Sequence, residues 1–322
     1  MSIDFTVAIC TYNGEQRLPA VLDQLCKQVG TEGIFWEVLI IDNNSQDQTA
    51  VVVANYAKQW RSDSQIRYVF EPKQPTAYAR NRAIQEAASD LVGFMDDDCL
   101  PADNWLAEAY QFGQTHPQAG AYGGRTYIKS NEALPPDFHA IKFLLAIEDR
   151  GEHSFQYTVP GTVPGGPCFV VRKQAWQEAV PTNRRLRGKD TIRGTVVSNA
   201  EDIEIVIYIQ SSHWQVWHNP KMEVWHQIQT GRLQRDHLLK LARSGGLSAH
   251  ACRIAKLPPV RRAWMPLLLP VYMLVSALRV LQYYVQHQRE FSNDLGKACS
   301  FQYKVGVLLS PFFTPRPMSS KS

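Results

Sequence analysis

The stretch LVGFMDDD at residues 91–98 decides the fold of this 322-residue chain. Five consecutive uncharged residues, most of them apolar, are followed at once by three carboxylates. A short apolar run of this length, bounded by polar residues, is typical of a strand that is buried on both faces. The sequence therefore predicts a buried strand over 91–95 whose end carries Asp96, Asp97 and Asp98.

Similar units precede this strand. Further strands are predicted at 5–10, 37–41 and 66–70, and helices between them at 18–28, 47–60 and 76–88. Strands that alternate with helices imply right-handed crossovers and a mostly parallel sheet, which places the chain in the α/β class. Ligands of such sheets bind beyond the carboxyl ends of the strands, where polar side chains stand in this sequence.

The acidic triplet admits two interpretations. Three adjacent Asp residues are often a solvated turn, without any ligand. At the end of a buried strand, however, the carboxylates repel one another unless a divalent cation neutralises them. Oxygen ligands of this kind suit Mg²⁺ or Mn²⁺ bridging a diphosphate.

Six short motifs in a characteristic order strengthen the second interpretation. They are Thr11-Tyr12-Asn13, the run from Asp42 to Thr49, Ala79-Arg80-Asn81, Asp96-Asp97-Asp98 with Pro101, Gly165-Gly166, and Ala200-Glu201-Asp202. With these motifs, residues 4–228 resemble a glycosyltransferase of family 2. The resemblance implies the GT-A fold, a Rossmann-like and mostly parallel sheet flanked by helices.

The resemblance also implies a role for individual residues. A nucleotide-sugar donor would be held by Thr11, Tyr12, Asn13, Asp42, Asn44, Arg80, Asp96, Gly165 and Gly166. Asp42 would bind the base or ribose, and Arg80 the phosphates. Asp98, together with Asp96 and His226, would hold the Mg²⁺ or Mn²⁺ ion. Asp202 would be the general base that accepts the proton of the acceptor hydroxyl.

The implied activity is an inverting transfer from a nucleotide-diphosphate sugar, with UDP favoured, to a glycan or lipid-linked acceptor in cell-surface polysaccharide synthesis. A nucleotidyltransferase would require a Gly-rich basic loop after the first strand, and Thr11-Tyr12-Asn13-Gly14-Glu15 is not one. A non-catalytic nucleotide-sugar-binding or scaffold subunit stays as the alternative, although every expected carboxylate is present. No nucleic-acid partner is expected, because aromatic residues do not interleave with the basic ones.

A basic segment stands where the acceptor loop is expected. Residues 182–198 hold Arg184, Arg185, Arg187, Lys189 and Arg193 and few apolar anchors. The composition predicts a mobile loop, which either is simply solvated or receives a lipid diphosphate or an acidic glycan.

The C-terminal region differs in charge from the rest. Residues 231–322 hold 14 basic and 3 acidic residues, whereas the first 230 hold 20 and 27. We therefore expect a catalytic domain over 1–230 and a helical, basic and apolar appendage over 231–322.

An apolar segment within the appendage suggests contact with a membrane. Sixteen uncharged residues, 263–278, are fewer than the roughly 20 that span a bilayer, and Pro266 and Pro270 interrupt them. A buried helical hairpin and an interfacial segment both fit, and the basic charge favours the second; a membrane span is the third alternative. Without a predicted leader or paired cysteines, the expected location is cytoplasmic, peripheral on the membrane.

Overall fold

The computed structural model describes residues 2–164, 166–188, 190–192, 195–197, 200–262 and 264–313. Its strands are β1 (Phe5–Thr11), β2 (Trp36–Asp42), β3 (Ser64–Phe70), β4 (Leu91–Asp96), β5 (Cys99–Pro101), β6 (Ala119–Ser130), β7 (Phe155–Gln156), β8 (Cys168–Arg172), β9 (Asp190–Ile192), β10 (Thr195–Val197) and β11 (Gln215–Ile228). Its helices are α1 (Leu18–Cys26), α2 (Thr49–Lys58), α3 (Thr76–Glu86), α4 (Trp105–Thr115), α5 (Phe138–Ile141), α6 (Lys173–Ala179), α7 (Glu201–Gln210), α8 (Arg235–Leu247), α9 (Ala249–Ala255), α10 (Pro259–Arg262), α11 (Met265–His287) and α12 (Leu295–Leu309).

One mixed sheet forms the centre of the described structure. Its strand order is β3-β2-β1-β4-β8-β6-β11-β5, and β7 pairs with β11. Strands β3, β2, β1 and β4 are parallel to one another, whereas β8 runs antiparallel to both β4 and β6. The mostly parallel sheet predicted from the sequence is therefore confirmed.

The apolar runs of β1, β2 and β4 are continuous because helices cover both faces of the sheet. In β1, Phe5, Val7 and Ile9 point into one core, and Ala8 points into the core on the opposite face. The edge strand β3 alternates between half-buried and exposed residues instead. Burial on both faces fixes the position of β4 and hence of the carboxylates at its end.

The register of the parallel strands sets the level of the polar residues. Cys10 lies opposite Asp96 across the β1–β4 pair, and Thr11 lies opposite Asp42 across the β1–β2 pair. Asp42 and Asp96 therefore lie on either side of β1, at the end of the sheet where the carboxyl termini of the parallel strands meet. This end is where a parallel α/β sheet presents its ligand site.

The C-terminal helices pack against the rest of the chain. Helices α8 and α12 share an apolar core with Ile141, Leu145 and Ile228, to which they contribute Leu238 and Cys299. Helix α9 packs on α7. The boundary at residue 230 thus marks a change of composition, and its role as a domain boundary stays a proposal.

The helix that carries the apolar segment is longer than the uncharged run. Helix α11 does not stop at Leu278 but continues through Arg279 to His287, over 23 residues, with Pro270 inside it. Residue Ala263 lies outside the described residues. Within the described part of the chain, α11 alone is long and apolar enough to cross a membrane. Only 6% of its most apolar window is buried, which excludes the buried hairpin.

Candidate functional site

A cavity of about 1220 Å³ opens at the carboxyl ends of β1 and β4. Asp96, Asp98 and Arg80 line one part of its wall, and Glu201 and Asp202 line another. These side chains come from the end of β4, from α3 and from the first turn of α7. The fold thus assembles in one cavity residues that are more than 100 positions apart in the sequence.

The middle carboxylate of the triplet is held by neighbouring side chains. Arg17 donates to both oxygens of Asp97, at 2.8 Å each, and the hydroxyl of Thr11 donates to Oδ2. Asp97 and Thr11 are 9% and 2% exposed. The bidentate arginine removes Asp97 from the set of competing negative charges. Asp97 lines the cavity together with Asp96 and Asp98, but its carboxylate is already bound by Arg17 and Thr11.

Arg80 lies between the two groups of carboxylates. Its guanidinium is 3.3 Å from Asp96 Oδ1 and 3.5 Å from Glu201 Oε1. The rings of Phe94 and Phe169 lie 5.3 and 5.5 Å from the guanidinium carbon. Because Arg80 is 5% exposed, the cation is held firmly by packing as well as by charge.

His226 faces Asp98 with its second ring nitrogen, Nε2. Nδ1 lies 2.8 Å from the carbonyl oxygen of Leu145, and a carbonyl can only accept, so Nδ1 is the donor. Nε2 lies 3.5 Å from Asp98 Oδ2. A backbone acceptor on one ring nitrogen commonly orients the other for metal binding.

The donor set fits a divalent cation. Ligand atoms of Asp98, Cys99 and His226 lie within 4.8 Å of one another. Burial raises the pKa of Cys99 well above its usual range, so the thiol stays protonated and leaves oxygen and imidazole ligands. Burial likewise raises the pKa of Asp96; Arg80 offsets part of this effect, and the carboxylate of Asp98 adds to it. A cation would relieve this repulsion.

Asp98 is nevertheless held in its ionised form. Burial opposes ionisation, but His226, Arg232 and Arg17 outweigh it and lower the pKa of Asp98 below its ordinary value. Of the Arg17 and Arg232 guanidinium groups, that of Arg232 is nearer to Asp98, with Nη1 3.3 Å from Oδ2. Arg232 therefore supplies positive charge at the place where a metal ligand is predicted.

The environment of Asp202 suits a carboxylate that accepts a proton. It is 7% exposed, and its Oδ1 has no hydrogen-bond partner among the described residues. Burial raises the pKa of Asp202 to about 6; Glu201 adds to the increase and Arg80 opposes it. Glu201 also has one oxygen, Oε2, without a hydrogen-bond partner among the described residues, but its Oε1 lies 3.5 Å from Arg80. The free Oδ1 and the raised pKa of Asp202 suit a general base.

Gly166 leaves the space that the Asp202 side chain occupies, and we predict that Gly166→Ala lowers sugar transfer at least about 100-fold. A Cβ at Gly166 would overlap Asp202 Oδ2 and lie 2.7 Å from its Cγ, so the base must move. Steady-state transfer rates and UDP titrations would measure the effect, and UDP binding should persist.

The matched control for this substitution is Gly245→Ala in α8, whose Cβ meets only the Tyr303 ring at 3.8 Å. Gly245→Ala should transfer sugar at nearly the wild-type rate. A Gly166→Ala enzyme within a few-fold of wild type would contradict the steric argument. The adjacent candidate Gly165 lies outside the described residues.

Several predicted donor ligands lie at the rim and bind neighbouring loops. Asn13 Oδ1 accepts from the backbone of Gln46, and Asp42 accepts from the backbone of Ser45 and the hydroxyl of Tyr68. Asn44 lies in the same turn with a positive φ of 66°. Of the predicted nucleotide ligands at these two loops, only Tyr12 lines the cavity. Roles for Thr11, Asn13, Asp42 and Asn44 in binding the nucleotide stay predictions.

Among the residues of the cavity wall that sequence reasoning missed are Arg17 and Asn43. Arg17 had no local signal, because its partner Asp97 is 80 positions away. Asn43 lines the cavity where Asn44 was expected. Its side chain donates to the carbonyl of Lys73, which ties the loop after β2 to the loop before α3.

The basic segment is only partly as expected. Arg184 is not solvated: it is 1% exposed, donates to Asn81 Oδ1 at 2.6 Å, and stacks on Trp176. Partners on α3 and a ring face compensate its burial. Lys189 and Arg193 lie outside the described residues.

Known proteins resemble this chain in sequence. The sequence model described as Glycosyl transferase family 2 matches residues 6–178. A dolichyl-phosphate beta-glucosyltransferase of Drosophila melanogaster is 36% identical over 167 residues, which cover 45% of this chain and 51% of that protein. Glycosyltransferase AglE of Haloferax volcanii is 28% identical over 102 residues, 31% of this chain and 32% of that protein. The matches thus span about a third to a half of these relatives.

Solved structures share the fold at low identity. The mannosyltransferase PcManGT from Pyrobaculum calidifontis, in complex with GDP-Man and Mn²⁺, has a TM-score of 0.61 at 17% identity, covering 97% of this chain and 88% of its own. S. aureus TarS 1–349 with UDP-GlcNAc has a TM-score of 0.54 at 16% identity, covering 94% and 91%. Together with the sheet order, these likenesses establish the GT-A fold.

Proposed function

This chain belongs to glycosyl transferase family 2, and from that premise we propose that it is an inverting glycosyltransferase using a UDP-sugar donor. The sugar passes to a hydroxyl of a glycan or lipid-linked acceptor. One observation carries the proposal: Asp96 and Asp98 share a cavity with Asp202, whose Oδ1 has no hydrogen-bond partner among the described residues. A donor side and an acceptor side with a free base are what a direct displacement needs.

The reaction would proceed in a single displacement. Asp202 accepts the proton of the acceptor hydroxyl while that oxygen attacks the anomeric carbon of the donor sugar. The bond between the anomeric carbon and the diphosphate oxygen breaks, and its electron pair leaves with the nucleoside diphosphate. Attack opposite to the leaving group inverts the anomeric configuration.

Asp98, Asp96 and His226 would hold a Mg²⁺ or Mn²⁺ ion. When bound, such an ion stabilises negative charge on the departing diphosphate. His226 is oriented for this role by Leu145, and Arg232 is close enough to Asp98 to contact the same phosphates. The Mn²⁺ and GDP-Man in the Pyrobaculum structure support a metal-assisted donor site here.

Titration of nucleotide sugars tests the proposal. UDP-, GDP- and dTDP-sugars would be added to the full chain with and without Mn²⁺ or Mg²⁺, and binding and donor hydrolysis would be measured. We expect cation-dependent binding of a UDP-sugar and slow hydrolysis. Binding without any turnover would favour the non-catalytic alternative, and no binding of any donor would refute both.

The exposed face of α11 supports association with a membrane surface. Its stripe consists of Leu267, Val271, Leu274, Leu278, Leu281 and Val285, each 57–70% exposed. These residues recur every three or four positions and therefore share one helix face. The other face packs on α12, so the helix fits a position in the plane of the interface. The net charge of +11 over 231–322 would attract anionic lipid.

Liposome co-sedimentation is expected to separate two triple variants. The full chain should sediment with anionic liposomes, and high salt should release it only in part, because salt screens charge but not apolar burial. Leu267→Gln/Leu274→Gln/Leu281→Gln should stay in the supernatant. Gln replaces Leu at little cost in helix propensity.

The control, Val29→Gln/Val51→Gln/Val159→Gln, removes comparably exposed apolar side chains elsewhere. It should sediment like the unmodified chain. An unmodified chain that remains soluble with liposomes would refute the membrane role of α11. The location proposed is the cytoplasmic face, and the six free cysteines accord with a reducing compartment.

A further inference from the structure

We propose that a second arm of the cavity binds the phosphate or diphosphate group of a lipid-linked acceptor. This arm, the α9 arm, is formed by Ser248, Cys252, Arg253 and Lys256 together with the loop 161–164. The proposal rests on the proposed function and specifies the acceptor of that same site. It assigns the anionic group to Lys256 and Arg253.

The α9 arm begins at the catalytic base. Ile203 follows Asp202 in the sequence and, like Cys252, packs against one small apolar cluster. Both residues line the cavity, and Lys256 follows one helical turn after Cys252. Asp202 and Lys256 therefore line the same cavity. An acceptor can reach the base and the two cations at the same time.

The far side of the α9 arm is a rigid loop. Gln210 of α7 accepts from the backbone of Gly161 at 2.6 Å and donates to the carbonyls of Tyr157 and Thr162. Gly161 has a φ of +79°, and a Cβ there would lie 2.8 Å from Cδ of Lys256 and overlap the end of its side chain. The absence of a side chain at Gly161 thus lets the ammonium group lie against the loop.

The charge in the α9 arm is uncompensated. No carboxylate of the described residues forms an ion pair with Lys256 or Arg253, in contrast to Arg17, Arg80 and Arg232. Ser248 lines the same cavity and is 2% exposed, and its hydroxyl has no hydrogen-bond partner within the described part of the chain. Two free cations and an unused hydroxyl form a set that suits phosphate oxygens.

Apolar surroundings favour a lipid over an acidic glycan. The guanidinium of Arg253 lies 4.5 Å from the ring of Tyr272, which belongs to α11. Helix α11 carries the exposed apolar stripe, and Leu241, Tyr303 and Val307 also line the cavity. A phosphate bound by Arg253 would thus have its substituent next to the helix proposed to contact lipid. A polar glycan would gain nothing from these neighbours.

The assignment fits the chemistry at Asp202. A sugar linked through phosphate or diphosphate to the lipid would place its hydroxyl at the base and its phosphate at Lys256. Asp202 takes the hydroxyl proton, the oxygen forms the bond to the donor's anomeric carbon, and the nucleoside diphosphate leaves with the electron pair. The lipid phosphate itself stays intact and serves only as a handle.

Binding of farnesyl diphosphate tests the proposal. The full chain is first saturated with UDP and Mn²⁺, so that the donor's own diphosphate site is filled, and farnesyl diphosphate is then titrated in neutral detergent. Farnesol and inorganic diphosphate are titrated in parallel. We expect farnesyl diphosphate to bind at least about 10-fold more tightly than either, since both cations and apolar contact are required.

Variants of Lys256 and Arg253 test whether these two residues bind farnesyl diphosphate. Lys256→Gln/Arg253→Gln should weaken farnesyl diphosphate at least about 10-fold and leave the affinity for UDP with Mn²⁺ within about two-fold. Arg279→Gln is the control, because it removes a positive charge from α11 without lining the cavity. The control should bind farnesyl diphosphate like the unmodified chain.

Two results would overturn the proposal. Equal affinity of the double variant and the Arg279→Gln control would mean that Lys256 and Arg253 do not hold the anion. Equal affinity for inorganic and farnesyl diphosphate would mean that the lipid is not recognised. If UDP fails to bind, the proposed function fails, while the comparison of the variants still decides this proposal.

Discussion

Asp202→Asn is expected to lower the rate of sugar transfer about 10²–10⁴-fold, the usual contribution of a general base. The amide keeps the size of the carboxylate but cannot accept the hydroxyl proton. Donor binding should be largely unchanged, because Asp202 is not one of the predicted donor ligands and the amide fills the same space. Transfer rates and UDP titrations on the same preparation would separate the two effects.

The pH dependence gives this prediction a second signature. Since burial raises the pKa of Asp202 to about 6, transfer should decline as the pH falls through that value and the base becomes protonated. Above it the carboxylate is ionised and the rate should be level. Asp202→Asn should lose this acidic limb together with most of the rate.

Glu201→Gln is the control at the neighbouring position, because Glu201 faces Arg80 rather than the free part of the cavity. It should retain far more activity than Asp202→Asn. If Glu201→Gln is inactive and Asp202→Asn remains within a few-fold of wild type, the two carboxylates have exchanged roles.

Asp98→Ala is expected to abolish the cation dependence of donor binding while the fold remains intact. Asp98 is the carboxylate that His226 faces, and its lowered pKa keeps it charged and ready to bind a cation. Calorimetry of UDP with and without Mn²⁺ measures the effect. Since the variant also removes the carboxylate partner of Arg232 and His226, thermal unfolding of the variant should be measured beside the calorimetry.

The informative control for Asp98 is Arg232→Gln. Arg232 lies 3.3 Å from the Asp98 carboxylate and competes there with any other cation. Arg232→Gln should therefore bind Mn²⁺ alone at least as tightly as the unmodified chain, the opposite of Asp98→Ala. UDP binding by Asp98→Ala that still depends on Mn²⁺ would refute the assignment of Asp98 as a metal ligand.

The sequence was sufficient to predict the sheet, because the residue pattern that indicates each strand lies within that strand and its neighbours in the chain. The apolar runs of β1, β2 and β4 stand next to the polar residues that end them, and helical patterns separate them. The pattern of apolar residues indicates which faces of each strand are buried. Parallel strands that are buried on both faces occur almost only in sheets with helices on both sides. Helix ends were less certain, since α2 begins at Thr49 rather than Asp47.

The end of α11 shows how a charge count misleads. Arg279 ends the uncharged run in the sequence, but the helix continues past it. A long cationic side chain keeps its charged group in water while its stem stays beside apolar surface. Hydrogen bonding along the backbone, not the pattern of charges, decides where the helix ends.

Composition and order of motifs, in the end, determined the α/β class and the family resemblance, and they predicted some of the residues that line the cavity. Only the tertiary structure decided which cation each carboxylate of the site contacts. Asp97 pairs with Arg17, Asp96 with Arg80 and Asp98 with Arg232, and Lys256 comes to line the same cavity as Asp202. The physical reason is range: strand and helix patterns arise between neighbours in the chain, whereas the charge, burial and orientation of a carboxylate depend on partners that only folding brings close.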